Sequence, residues 1–527
     1  MTTEAPTTTP LRVVFFLNRF TYIRFFESVL RALVERGHEV VLLVERDPTH
    51  DYEEQWAEEL DRDPRFSWRR TRSMKRDPLR EFRRGLRKTV DYLHFVRPRF
   101  EHAPALTRRA RNRAPALVVR LSRLPVLRSE PMLRIATRLL ESFDHAVPTP
   151  AALLEELKEL DPDLVVVAPH GMPGSLDSEY LKAAKALGVP AAIAVASWDN
   201  LSSKQLLHVQ PHRLLVWNEI QKREAIELHG IPGDRVVVTG AQNFDLWFDW
   251  QPSARDDFCR RLGLDPDRPY VLYVGGSLYP GEITEAEWAR RWVAALKASE
   301  VSVLASAGVL LRPHPCRIDE WLDVPYDDYE NVALWRCEYR EMPVTPEARA
   351  EFFDSIYHSA AVVGLNTSAM IEAAIVGRSV HTVIAAEFET SQRGVFHFEY
   401  LLNVGGGLPR VAHSLAEHFS QLAETLQGAD EAAGERRRRF LEEFVRPHGL
   451  ERPATPIFIE TLEQLAQTSV DVERAPRWFA AVEPALLLAI RSREIDSGTP
   501  ARVSRKLARL GRKQRKTARK LAKRMAR

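Results

Sequence analysis

Short apolar runs, rich in β-branched and aromatic residues, recur along this 527-residue chain, and a helical stretch separates most neighbouring pairs. Runs this short suit strands better than buried helices. Apolar on both faces, they belong inside a parallel sheet, whose strands can be joined only by long crossovers that are usually helical. The chain is therefore read as α/β, and the alternation falls into two series. The first opens with Arg12-Val13-Val14-Phe15-Phe16-Leu17, a helix near 21–36 closed by Gly37, and a second strand over 38–44. Arg-rich helical segments broken by Pro98, Pro104, Pro115, Pro125 and Pro131 then interrupt it across 51–150. It resumes with a helix at 151–160 and strands at 164–168, 191–196, 214–217 and 235–239, with helices at 178–187 and 219–229 between them.

The second series starts at Tyr270–Val274, continues through Gly275-Gly276-Ser277 and a helix near 284–298, and ends with a helix at 453–467 able to cross back to the first domain. Residues 425–445 read as a solvated helix. A chain of this length exceeds one hydrophobic core. The expected fold is two Rossmann-like, doubly wound domains facing across a cleft, with a basic helical insertion and a basic C-terminal helix. The boundaries read as a disordered start at 1–10, a first domain at 11–245 holding the insertion 51–150, and a linker at 246–268. A second domain follows at 269–470, then a linker at 471–500 and a basic amphipathic tail at 501–527.

Net charge is only +3, but it is segregated: residues 65–138 hold 22 Lys/Arg against five acids, and 501–527 hold 13 Lys/Arg and no acid. Such asymmetry favours an anionic partner. In the tail, Val503, Leu507, Leu510, Ala518, Leu521 and Met525 recur at near-helical spacing, which suits a helix lying on anionic lipid. Nucleic acid is the less favoured rival. No run is long enough for a membrane span and Met1–Pro6 lacks signal-peptide features, so the expected location is cytoplasmic, peripheral at the inner face of the plasma membrane. Cys259, Cys316 and Cys337 have no metal-ligand spacing.

Two segments concentrate the chemistry. Val309–Pro315 ends a strand in Arg312-Pro313-His314-Pro315, where flanking prolines hold His314 stiffly and Arg312 adds charge for a phosphate. Val362–Glu372 ends a strand in Asn366-Thr367-Ser368, where a helix should begin and offer hydroxyls and N–H groups to an anion. Glu372, one turn on, can reach the hydroxyls of an attached ribose. Gly275, Gly276 and Ser277 allow close backbone approach or make a simple turn.

In the first domain, Asp199 in Ser197-Trp198-Asp199-Asn200 can serve as general base, with Trp198 offering a face to a sugar and Asn200 beside it; the same residues also suit a helix cap. His170 is the competing base. Arg19 and Tyr22 follow the first strand on the expected acceptor side, and Arg393 and His397 follow a later strand where base or pyrophosphate could sit.

The pairing of Arg312–Pro315 with Asn366–Glu372 resembles the nucleotide-binding half of bacterial GT-B glycosyltransferases and of their relatives, the UDP-N-acetylglucosamine 2-epimerases and CDP-glycerol glycerophosphotransferases. The resemblance implies that His314, Pro315, Thr367 and Ser368 hold a donor pyrophosphate and that Glu372 holds its ribose. Epimerase-like relatives carry Asp-Ser-Gly-Gly where this chain has Asn366-Thr367-Ser368-Ala369, which argues against epimerisation. No acidic or His/carboxylate pairing stands out as a metal site, so the expected reaction needs no metal or cofactor. The expectation is an inverting glycosyltransferase passing a sugar from a nucleotide donor to a cell-envelope glycan or lipid-linked acceptor. The alternatives are a nucleotide-sugar 2-epimerase, a CDP-glycerol-type phosphotransferase, or a nucleic-acid-binding protein.

Overall fold

The apolar runs of the first series pair in parallel as β1 (Arg12–Leu17), β2 (Glu39–Val44), β3 (Phe66–Arg70), β4 (Leu164–Ala168), β5 (Ala191–Ala194), β6 (Arg213–Val216) and β7 (Val236–Val238). Their order in the sheet is β3-β2-β1-β4-β5-β6-β7. Side chains alternate across it: Val13, Phe15 and Leu17 enter one core, and Val14 and Phe16 enter the other. Both faces are thus covered, which is why the strands read as continuous apolar runs. The structure, a computed structural model, describes residues 9–45, 58–168, 174–277, 283–336, 345–393, 395–430 and 432–496. His170 and the basic segment 501–527 lie outside them.

The second sheet is built from β8 (Tyr270–Val274), β9 (Gly308–Arg312), β10 (Val332–Leu334), β11 (Ala361–Gly364), β12 (Ser379–Val383) and β13 (Arg410–Ala412), in the order β10-β9-β8-β11-β12-β13 and again parallel. Strand order reverses beside β1 in one sheet and beside β8 in the other, and ligands of such sheets sit at the carboxyl ends of the strands there.

Five elements depart from the expectations, one of them the second expected linker, 471–500, which holds the helix Arg477–Asp496. The helix expected at 21–36 begins as a 3-10 turn, Phe20–Phe25, before Glu27–Glu35. Within the segment read as helical, Phe66–Arg70 is the edge strand β3; only Phe66 is fully buried, so exposed Ser67, Arg69 and Arg70 dilute its apolar signal. The described part of the insertion holds helices at Arg80–Phe95, Pro104–Arg113, Ala116–Leu121 and Glu130–Ala146. The stretch read as a linker holds helices Asp245–Phe248 and Arg255–Leu262, the latter burying Phe258 and Cys259. The helix expected to be solvated, Ala433–Phe444, buries Phe440, Leu441 and Phe444.

The helix Ala454–Ala466 crosses back and seals the first domain's core with Phe458, Ile459, Leu462 and Leu465. Its start crosses so near Gly240 (φ +90°) that a Cβ there would lie 2.8 Å from the Cβ of Ala454. Further along, Glu463 accepts from Arg36 Nε at 2.9 Å and lies 2.9 Å from the Nε2 of buried His38.

Candidate functional site

The carboxyl ends of both sheets open onto one cavity of about 640 Å³. From the second domain, the loops after β8, β9 and β11 bring Gly275, Ser277, Arg312, Pro313, His314, Pro315, Asn366, Thr367, Ser368 and Glu372 to its wall. The first domain supplies Tyr22 and Arg24 after β1 and Ser197, Trp198, Asp199, Asn200, Ser203 and Lys204 after β5. His397 lines it, as does Arg109 from the insertion helix Pro104–Arg113.

The β9 ending is rigid. Gly275 N–H donates to the Arg312 carbonyl at 2.8 Å, and a Cβ on Gly275 would come within 3.0 Å of the His314 nitrogen and 3.2 Å of Pro313 Cα. Only glycine lets the two loops lie this close. The Cys316 N–H donates to His314 Nδ1 at 3.2 Å, so in the neutral ring Nε2 carries the proton. Burial, with Arg24 and Arg317 nearby, lowers His314 to about 4, making it a neutral donor at physiological pH. The buried Arg312 guanidinium lies 3.8 Å from the Trp335 ring centroid and 4.8 Å from that of Phe352.

After β11, Ser368 precedes the helix Ala369–Ile375, and Thr367 Oγ1 accepts from Ala369 N–H at 3.4 Å. Asn366 Nδ2 donates to the Ser391 carbonyl at 2.6 Å, tying this loop to the one after β12. Glu372 is raised to about 7: burial outweighs the opposing pull of Arg24 and Arg312.

The first-domain wall is an ion-paired turn. Lys204 Nζ lies 2.9 Å from Asp199 Oδ2, and Ser203 Oγ donates to the same oxygen at 2.9 Å. Burial acts to raise Asp199, but Lys204 and then His397 pull its carboxyl well below the usual range. Asn200 Oδ1 accepts from the Ala196 and Ser197 amides at 3.1 and 3.0 Å, so this side chain staples the turn. The Trp198 ring is buried edge-on to His397 at 4.9 Å and lies 6.3 Å from Phe444, so it packs between the domains while also lining the cavity. Burial lowers His397 to about 4.

Three of the expected residues stand elsewhere. Arg19 and Arg393 are exposed and outside the cavity wall, and Gly276 N–H is taken up by Glu285 Oε2 at 2.9 Å. His170 lies outside the described residues. The cavity also uses residues the sequence reading passed over: Arg24, Arg109, Trp335 and Phe352, together with Trp247 and Trp250 from the supposed linker. A pair of tryptophans three residues apart was the available signal for that wall.

No protein-family model matches the sequence, and no curated protein matches it either. Its architecture is the GT-B fold. It is similar to a glycosyltransferase from Rickettsia africae ESF-5 (TM-score 0.50, 10% identity, 88% of this chain and 100% of that one). A UDP-GlcNAc 2-epimerase from Neisseria meningitidis bound to UDP-GlcNAc gives TM-score 0.50 at 12% identity over 86% of this chain and 100% of that one. A Listeria monocytogenes protein assigned as a UDP-N-acetylglucosamine 2-epimerase gives 0.52 at 12% identity, over 88% and 100%. At these identities the likeness is one of fold.

Proposed function

We propose that this chain is a nucleotide-sugar enzyme and, within that class, a glycosyltransferase needing no metal. One observation supports this above the others: a neutral His314 with its proton on Nε2, the Thr367-Ser368 helix entry, and Glu372 within the influence of Arg24 and Arg312 all line one cavity at the sheet switch point. The donor diphosphate lies against His314, Thr367 and Ser368, and Glu372 accepts from the ribose hydroxyls.

In the transfer, an acceptor hydroxyl oxygen bonds to the anomeric carbon while the bond from that carbon to the diphosphate oxygen breaks. The diphosphate leaves with the electron pair, and a single displacement inverts the centre. Arg24 and His314 Nε2–H meet the growing charge. The acceptor enters along Tyr22, Lys204 and Arg109, and the two cations, Lys204 and Arg109, suit an anionic envelope glycan or its lipid-linked precursor. The acceptor's proton passes to a first-domain base, for which Asp199 and His170 are the two candidates; a carboxylate held as low as Asp199 takes up a proton poorly, and His170 lies outside the described residues. The epimerase reading is weakened by Asn366, a neutral amide already donating to Ser391.

The test is nucleotide release from UDP-, CDP-, GDP- and CMP-linked sugars by the purified chain, with and without envelope glycan. His314→Ala should lower turnover by about a hundredfold or more. Unchanged turnover sinks the assignment, and a new sugar epimer formed without acceptor would move it to epimerisation.

A further inference from the structure

The insertion carries an outward face that the fold itself does not use. In the helices Ala116–Leu121 and Glu130–Ala146, Val118, Val119, Ala136 and Leu140 turn inward onto one cluster around Phe100, Leu106 and Leu133. The other side leaves large apolar groups in water: Leu117 is 65% exposed, Val126 73% and Leu139 65%, joined by Leu121, Leu124 and Ile135. Leu117 and Leu121 are one turn apart, as are Ile135 and Leu139, so each helix presents a stripe. Single exposed leucines are ordinary; seven large apolar side chains exposed within 23 residues, these six and Met132, are not.

Charge identifies the occupant. Residues 102–140 contain nine arginines and one acid, Glu130, which is 3.4 Å from Arg134. Arg120, Arg123, Arg128, Arg134 and Arg138 are interleaved with the exposed apolar side chains. A nucleic acid would use the arginines and waste the leucines, and a protein groove would need no such excess of cation. An anionic bilayer surface uses both. Helix Arg477–Asp496 packs against the same insertion, with Trp478 and Phe479 on Phe143 at 5.4 and 5.9 Å, and the chain then continues toward the 13 basic residues of 501–527. No helix among the described residues is long and apolar enough to cross a membrane, so the contact is a surface one.

We infer that this face docks onto an anionic lipid surface, its apolar side chains entering the headgroup region and its arginines meeting lipid phosphates. The inference stands apart from the donor chemistry and survives if that reading fails. Flotation of the full chain with vesicles of phosphatidylcholine and phosphatidylglycerol in equal parts should show binding that pure phosphatidylcholine does not give. The triple variant L117E/V126E/L139E, altered only at exposed positions, should partition more weakly by about tenfold or more with the basic tail still present. In a Val126→Trp chain, added emission that brominated lipid quenches would place this face in the bilayer independently of the tail. Wild-type binding by the triple variant, no quenching of the added tryptophan, or a solution dimer dissolved by the triple variant would each overturn the proposal.

Discussion

Glu372, proposed to hold the ribose, carries a cost to the fold. Burial raises it to about 7 from an ordinary value of 4.5, with Arg24 and Arg312 opposing the rise. Across that window the folded chain keeps a proton that the unfolded chain has released, so stability falls as pH rises and the loss is complete above about 7. Glu372→Gln removes the cost. Its melting temperature should exceed the wild type's near pH 8 and match it near pH 4, while its affinity for nucleoside diphosphates falls. Equal melting at both pH values would show that the carboxyl is not buried as described. His314 was legible from its flanking prolines. Its tautomer was not, because that depends on the Cys316 amide folding back to Nδ1. Likewise, Trp198-Asp199-Asn200 suggested either an acceptor site with a base or a helix cap, but the Lys204 clamp on Asp199 and the Asn200 staple were not legible.

At the scale of elements, the loops after β8 and β9 act as one unit. Gly275→Ala would place a methyl within 3.0 Å of the His314 nitrogen, which forces the Pro313–His314 backbone to move. A loss of about 1–3 kcal/mol is expected, together with weakened nucleotide binding, readable by denaturant titration and calorimetry. The helix Ala454–Ala466 is the second such unit, since it lies late in the chain yet completes the first domain's core. Phe458→Ala should cost about 3–5 kcal/mol and loosen the first domain, seen as faster amide exchange in β1 and β2. Both-faces-buried strands such as Leu164–Ala168 and Tyr270–Val274 were legible to the residue, because a central parallel strand has no polar face. β3 was not, since an edge strand exposes alternate side chains and Ser67, Arg69 and Arg70 look like the surrounding Arg-rich helices.

In the whole molecule polar and aromatic contacts join the two domains. Arg349 reaches Glu27 across the cleft at 2.7 Å, Tyr400 donates to Glu224, and Asn218 Nδ2 donates to the Phe444 carbonyl at 2.8 Å. The insertion joins them: Phe100 meets Phe396 of the second domain at 5.8 Å, while Arg109 lines the cavity. The insertion thus runs from the proposed lipid-facing surface to the cavity wall. Sequence could show that the insertion was basic and helical but not which of its residues reach the cavity, because that depends on packing between segments far apart in the chain. The central claim is that the cleft binds a nucleotide through His314 and its neighbours. Thermal-shift titration of wild type and His314→Ala with UDP, CDP, GDP and CMP tests it most directly. The account predicts saturable stabilisation of the wild type by one nucleotide, about 2.7 kcal/mol at a hundredfold excess over Kd, and a much smaller shift in the variant. No shift with any nucleotide, or an equal shift in His314→Ala, would contradict it.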